Sequence, residues 1–401
     1  MTADQNQRQP KVAEPGVTAS TSVPGEDVPA GSGPTPAAAP SARTAPGRRR
    51  PRPSFAFGSV KVRAGHRREV SLPISRTITG ADITLPVHVL HGREDGPTVW
   101  VSAAIHGDEV VGIEVIRRVL SQLNPKQMRG TLIAVPIVNV LGVLTGDRYL
   151  PDRRDLNRSF PGSARGSLAS RIAHLMMTEV ISRCEVGIDL HTGADRRSNL
   201  PQIRCDLEDA RTRELAEAFD APVMYHARLR DGSLRAAARE AGARVLLYEA
   251  GEGWRFDEYA IAPGVEGVLR VLAAMDMVDL APLGVDPAPQ RGDEYDADVP
   301  AVVDAMGDES EPVAPDLPER HVVWRSGWVR ARKDGILHSE VVLGQLVEDG
   351  ERIGTLYDSF GRTVSAVKAD RTGVVIGRAE APLVNRGDAL VHIGETGPKP
   401  D

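Results

Sequence analysis

His106-Gly107-Asp108-Glu109 follows directly on an apolar run, and Asp189-Leu190-His191-Thr192-Gly193 places a second histidine behind another. Two imidazoles and one carboxylate form the protein half of a hydrolytic zinc site, which keeps three protein ligands and one position for water. If the run ending at Ile105 carries His106 to a sheet edge and Glu109 opens the next helix, their three-residue separation returns both side chains to one side. His191, at the end of a second strand, closes the triangle. Alone, the His106/Glu109 spacing is weak, since such a pair arises often by chance and is usually a surface pair or a helix start. Asp108 reads as the N-cap of that helix. Asp189 is placed to orient an imidazole through its second nitrogen.

The segment GDRYLPDRRDLNRSFPG lies between the two ligand stretches and holds arginines at 148, 153, 154 and 158, with Arg165 just beyond. A planar guanidinium grips a carboxylate in two parallel charge-assisted bonds, so Asn157 with Arg158 forms a candidate carboxylate clamp. Arg153 and Arg154 read equally as loop arginines paired with Asp152 or Asp155. Farther on, RVLLYEAGEG sets Glu249 at the mouth of an otherwise apolar strand. A buried carboxyl there is costly unless it faces a cavity or a partner, which makes Glu249, ahead of nearby Glu252, the candidate base for metal-activated water. GADRRSNLPQIRCDL is expected to line the pocket, with Arg197 and Asn199 exposed in it.

These residues need elements to position them. From about 55 to 280, apolar runs (97–105, 131–138, 186–190, 244–248) alternate with segments of helical period (109–123, 167–183, 207–219, 264–277). Strand-helix alternation with nearly continuous apolar strands predicts an α/β domain whose mixed or mostly parallel sheet is covered on both faces. Reactive residues in such sheets gather where strands run into loops. The predicted organisation is a Pro/Ala-rich disordered tail (1–54), the α/β domain (55–281), an acidic linker (282–319) and a small all-β domain (320–396).

Composition narrows the function. A net charge of −6 over 401 residues argues against nucleic acid as a partner. No run of about 20 apolar residues is present to span a bilayer, and the N-terminus lacks the pattern of a secretory signal. Cys184 and Cys205 are too few for a disulfide framework, so a soluble, cytoplasmic protein is expected. His174 falls inside a predicted helix, and no fourth zinc ligand stands at short spacing.

Together, HGDE, DLNRSFPG, DLHTG and YEAG, in that order, resemble the succinylglutamate desuccinylase/aspartoacylase family, itself related to zinc carboxypeptidases. The resemblance covers roughly residues 60 to 280, and more loosely the β segment after 320. It implies a mixed-sheet, phosphorylase/hydrolase-like α/β sandwich and one zinc ion per chain on His106, Glu109 and His191. By the same likeness Glu249 is the general base, Asn157 and Arg158 hold the substrate carboxylate, and Arg148 polarises the scissile carbonyl. The expected activity is removal of an acyl group from a small N-acyl amino acid, in a chain that is a candidate homo-oligomer. The alternatives are a carboxypeptidase-like peptide hydrolase and a non-catalytic binding protein with a structural metal.

Overall fold

The structure, a computed structural model, describes residues 52–194, 196–289, 320–397 and 399. Nearly all of the expected tail and most of the expected linker lie outside the described residues.

Strands β1 (Phe55–Phe57) and β2 (Val60–Val62) pair as a short hairpin, and β3 (His66–Arg76) and β4 (Asp82–His91) as a long one. There follow β5 (Glu94–Ala103), α1 (Val111–Gln122), β6 (Arg129–Val135), α2 (Val140–Thr145), α3 (Leu168–Leu175), β7 (Val186–Gly193), β8 (Arg197–Cys205), α4 (Ala210–Phe219), β9 (Val223–His226), α5 (Leu234–Glu240), β10 (Arg244–Glu252) and α6 (Glu258–Ala274). The C-terminal segment supplies β11 (His321–Arg330), β12 (Gly335–Ser339), β13 (Leu346–Val347), β14 (Arg352–Tyr357), β15 (Thr363–Lys368), β16 (Gly373–Ala379), β17 (Leu383–Val384) and β18 (Ala389–Thr396). No described helix is long and apolar enough to cross a membrane.

Among the described residues the large sheet runs β13-β16-β18-β11-β9-β8-β10-β7-β5-β6-β4-β3. Its centre, β6-β5-β7-β10, is parallel, and its strands are apolar on both faces because helices cover both. One core joins Val99, Val101, Ile188 and Leu246 to Val115 and Ile116 of α1 and Val268 and Leu269 of α6. The other joins Trp100, Ile133 and Val245 to Ile172 and Ala173 of α3 and Ala237 of α5. Gly187 is required here, because a Cβ on it would lie 2.0 Å from the indole of Trp100, its register partner on β5.

Several boundaries differ from the sequence expectation, all of them around the site. β5 ends at Ala103, and Ala104 adopts a left-handed φ of 51°, turning the chain before His106. α1 starts at Val111 with no side-chain cap, so Asp108 is not an N-cap. One carboxylate oxygen of Asp108 is instead buried without a hydrogen-bond partner. His191 and Glu249 lie within β7 and β10, which run on to Gly193 and Glu252. The helix expected over 167–183 is α3 followed by a π turn (Met176–Val180) and a 3-10 turn (Ile181–Arg183).

The segment after 320 is all β, and it is built into the large sheet. β11 pairs parallel with β9, and β18 pairs with β11. β16 pairs with both β18 and β8, so β8, β9, β11, β18 and β16 close into a ring. The remaining strands, β15-β14-β12-β17, form a separate four-stranded sheet.

Candidate metal centre and active site

His106, Glu109 and His191 are all buried, and each offers a ligand atom within 4.8 Å of the others. The turn after β5 supplies the first two, with the Glu109 amide bonded to the His106 carbonyl at 3.2 Å. Gly107 lets this turn press on the chain at 142–147, where a Cβ would meet the Gly142 carbonyl carbon at 2.1 Å. Gly112 seats α1 equally close to Ala103 and Leu190.

The ring orientations favour a cation. His106 Nε2 faces Asp155 Oδ1 at 3.1 Å, and His191 Nε2 faces Asp189 Oδ2 at 2.9 Å. Asp189 is itself fixed by Ser102 Oγ, which donates to its other oxygen at 2.7 Å. A carboxylate behind each Nε2 holds the proton there in the neutral ring and leaves Nδ1 as a lone pair for a metal. Both Nδ1 atoms point at Glu109, each 2.7 Å from one of its oxygens. At His191 the approach lacks hydrogen-bond geometry, and Glu109 Oε2 is a buried oxygen with no hydrogen-bond partner. At these distances a proton or a metal ion has to lie between each Nδ1 and the carboxylate.

Charge points the same way. Glu109, Asp155 and Asp189 surround the two imidazoles, and Arg148 Nη1 lies 2.8 Å from Glu109 Oε1, so with both rings neutral these three carboxylates and Arg148 leave two excess negative charges for a cation to offset. Burial pulls the His191 imidazole down, but Glu109 and Asp189 outweigh it and hold its pKa well above the ordinary value. His106 is raised in the same way, burial being overcome by Glu109 and Asp155. For Glu109 burial acts upward, yet the two imidazoles hold it well below the usual carboxylate range. These residues fit a divalent ion: hard and borderline donors, a buried carboxylate between two imidazoles, and a carboxylate behind each ring to favour the Nε2–H tautomer.

A second group, Asp206, Glu208 and His226, also brings ligand atoms within 4.8 Å, but its donors are engaged elsewhere. Asp206 pairs with Arg239, Glu208 with Lys399, and His226 Nδ1 accepts the Leu207 amide.

The other expected residues divide. Arg148 is brought to the metal group, whereas Arg153 and Arg154 are exposed and paired with Asp147 and Asp152. Asn157 is buried, and its Oδ1 accepts the Leu234 amide at 2.9 Å, tying the start of α5 to this loop. Arg158 is exposed, and its Nη1 donates to the Asn157 carbonyl. Glu249 is the register partner of His191 on β7 and of Gln202 on β8, which puts the three side chains on one face of the sheet. Asn199 Nδ2 donates to Glu249 Oε2 at 2.8 Å, and Arg204 Nη1 lies 3.1 Å from Oε1. Arg197 lies over the Trp328 ring. Glu252 is raised by burial and faces Arg255.

Sequence reasoning missed three participants. Asp155, weighed only as an arginine partner, caps the turn that carries Asn157 and also holds His106. Ser102 and Arg204 had no signal, because their partners lie 87 residues away for Ser102 and on a neighbouring strand for Arg204.

Residues 95–275 match the succinylglutamate desuccinylase/aspartoacylase catalytic domain. The chain is 29% identical over 362 residues to the N-alpha-acetyl-L-2,4-diaminobutyric acid deacetylase of Halomonas elongata, a match covering 87% of this chain and 97% of that protein. A crystal structure of a succinylglutamate desuccinylase/aspartoacylase from Rhodobacter sphaeroides superposes with a TM-score of 0.67 at 26% identity, over 82% of this chain and 96% of that one. The product-bound ectoine utilization protein EutE of Ruegeria pomeroyi has the same fold, with a TM-score of 0.68 at 22% identity over 87% of this chain and 100% of that one. The fold is therefore the expected mixed-sheet α/β architecture with a C-terminal β domain. The chain thus resembles the succinylglutamate desuccinylase/aspartoacylase family, whose catalytic domain matches residues 95–275.

Proposed function

We propose that this protein is a cytoplasmic, zinc-dependent amide hydrolase that removes the acyl group from a small N-acyl amino acid. The observation that carries the reading is the buried Glu109 carboxylate, faced by two imidazole Nδ1 atoms whose opposite nitrogens are tied to carboxylates. His106, Glu109 and His191 would hold one zinc ion. When bound, zinc supplies Lewis acidity and lowers the pKa of water from 15.7 toward about 7.

The chain's own groups complete the chemistry. Glu249 stands beside His191 in register, and both of its oxygens are held from the β8 side. It takes a proton from the attacking water and returns it to the departing amine. Arg148, already at the Glu109 carboxylate, donates to the carbonyl oxygen as negative charge develops there. Arg158, exposed at the loop surface, grips the substrate carboxylate with Asn157 holding the loop in place. The deacetylase of Halomonas elongata makes an N-acetylated diamino acid the first substrate to try.

The test is a screen of N-acetyl and N-succinyl amino acids, N-α-acetyl-L-2,4-diaminobutyrate included, beside short peptides. Hydrolysis of the acyl amino acids is expected, and cleavage of peptides alone would reverse the reading. Glu249→Gln should keep its zinc and lose turnover, so an active variant would remove Glu249 from the base role.

A further inference from the structure

We infer that Arg204 and Gln202 are positioning residues for Glu249, and that the C-terminal strands fix the carboxylate through them. The inference rests on Glu249 being the base. Both Glu249 oxygens are engaged from β8, by Arg204 Nη1 at 3.1 Å and by Asn199 Nδ2 at 2.8 Å. Neither group is free to drift. Arg204 Nε donates to Gln202 Oε1 at 3.1 Å, and the Gln202 amide is fully buried. Gln202 Nε2 donates to the Leu200 carbonyl at 3.1 Å and across the ring to the Ile376 carbonyl of β16 at 3.0 Å. The Arg204 guanidinium also lies over the Tyr225 ring, 5.8 Å from its centroid. Tyr225 accepts a hydrogen bond from Ser326 Oγ of β11, which in turn contacts His392 Nε2 of β18 at 2.8 Å.

Asn199 is set by the same strands. It is the register partner of Gly377 on β16, and a Cβ on Gly377 would stand 2.8 Å from Asn199 Oδ1. β16 therefore reaches Glu249 twice, through Gln202 and Arg204 to one oxygen and through Asn199 to the other. A buried glutamine spent on bridging β8 and β16 is hard to explain by stability alone, since an apolar residue would fill the wall without desolvating an amide. What the bridge provides is a fixed acceptor for an arginine that touches the proposed base. A catalytic group must be held to a fraction of an ångström, and misplacement by about 1 Å can cost about 100-fold in rate.

The test uses the full chain loaded with zinc and the substrate hydrolysed fastest in the screen above. Arg204→Met is expected to lower kcat by about 100-fold with KM within about twofold of wild type and zinc content unchanged, and Arg204→Lys to recover at least tenfold of that loss. Gly377→Ala touches none of the reacting groups. It should lower kcat by about tenfold at constant KM, and its crystal structure should show Asn199 Nδ2 beyond hydrogen-bond reach of Glu249. Wild-type kcat in folded Gly377→Ala or Arg204→Met, or a loss confined to KM, overturns the positioning role. Glu249→Gln separates the two levels: if it is inactive while Arg204→Met and Gly377→Ala turn over normally, only the positioning inference fails.

Discussion

Replacing Asp189 by asparagine tests the link between imidazole tautomer and metal binding without touching a proposed ligand. Asp189 presents one oxygen to His191 Nε2 at 2.9 Å and the other to Ser102 Oγ at 2.7 Å. Two donors thus meet two acceptors, and the carboxylate keeps the imidazole proton on Nε2. Asparagine keeps the volume but offers one acceptor oxygen and removes a buried negative charge. Either Ser102 must rotate to accept, or the amide NH2 faces Nε2 and drives the proton to Nδ1, where it occupies the position the metal needs. Loss of such an outer partner typically weakens metal affinity 10- to 100-fold, or about 1.4 to 2.7 kcal/mol. Zinc affinity is read by competition with a chromophoric chelator at pH 7.5. Ser102→Ala, which leaves the carboxylate in place, should weaken it less than Asp189→Asn. A folded Asp189→Asn protein with the zinc affinity of wild type would refute the idea that Asp189 sets the ligand.

Three further outcomes are expected. Arg148→Met should lower kcat by about 100-fold or more, the usual cost of one lost oxyanion donor, and a wild-type kcat would take Arg148 out of the reaction. Gly187→Ala places a methyl group 2.0 Å from the Trp100 ring and should destabilise the fold by about 1 to 3 kcal/mol in urea titration, so an unchanged midpoint would contradict the packing described. His392 is buried against Trp328, and burial, with Arg204 and Arg371 nearby, lowers its pKa from 6.5 to about 3. Below pH 6.5 the unfolded chain takes up a proton that the folded chain refuses until about pH 3, so this stability is complete above 6.5 and is lost as pH falls. At pH 5 the loss is about 2 kcal/mol, and His392→Phe should show a correspondingly smaller drop between pH 7 and pH 5. Equal drops would mean that His392 accepts its proton in the folded state.

The cluster of His106, Glu109 and His191 was legible in the sequence because ligand chemistry admits few residue types and the strands that carry them are apolar runs. His106, Glu109 and His191 meet as their spacing suggests, although Glu109 sits in a turn ahead of α1 and not in its first turn. The four central strands were legible for the same reason. β8 was not recognised as a strand, since Asn199, Gln202 and Arg204 break the apolar pattern for the sake of the site and of the ring. Asp155 was hidden because a histidine partner 49 residues away leaves no periodic trace. The ring closed by β16 on β8 pairs strands far apart in the chain, and no local pattern encodes it.

The central claim is that one divalent ion sits between His106 Nδ1, Glu109 and His191 Nδ1. The most direct measurement is a crystal structure of the zinc-loaded protein with anomalous data at the zinc edge. One strong peak within bonding distance of those three side chains is the predicted result. A peak at Asp206, Glu208 and His226 instead, with none beside Glu109, would contradict it.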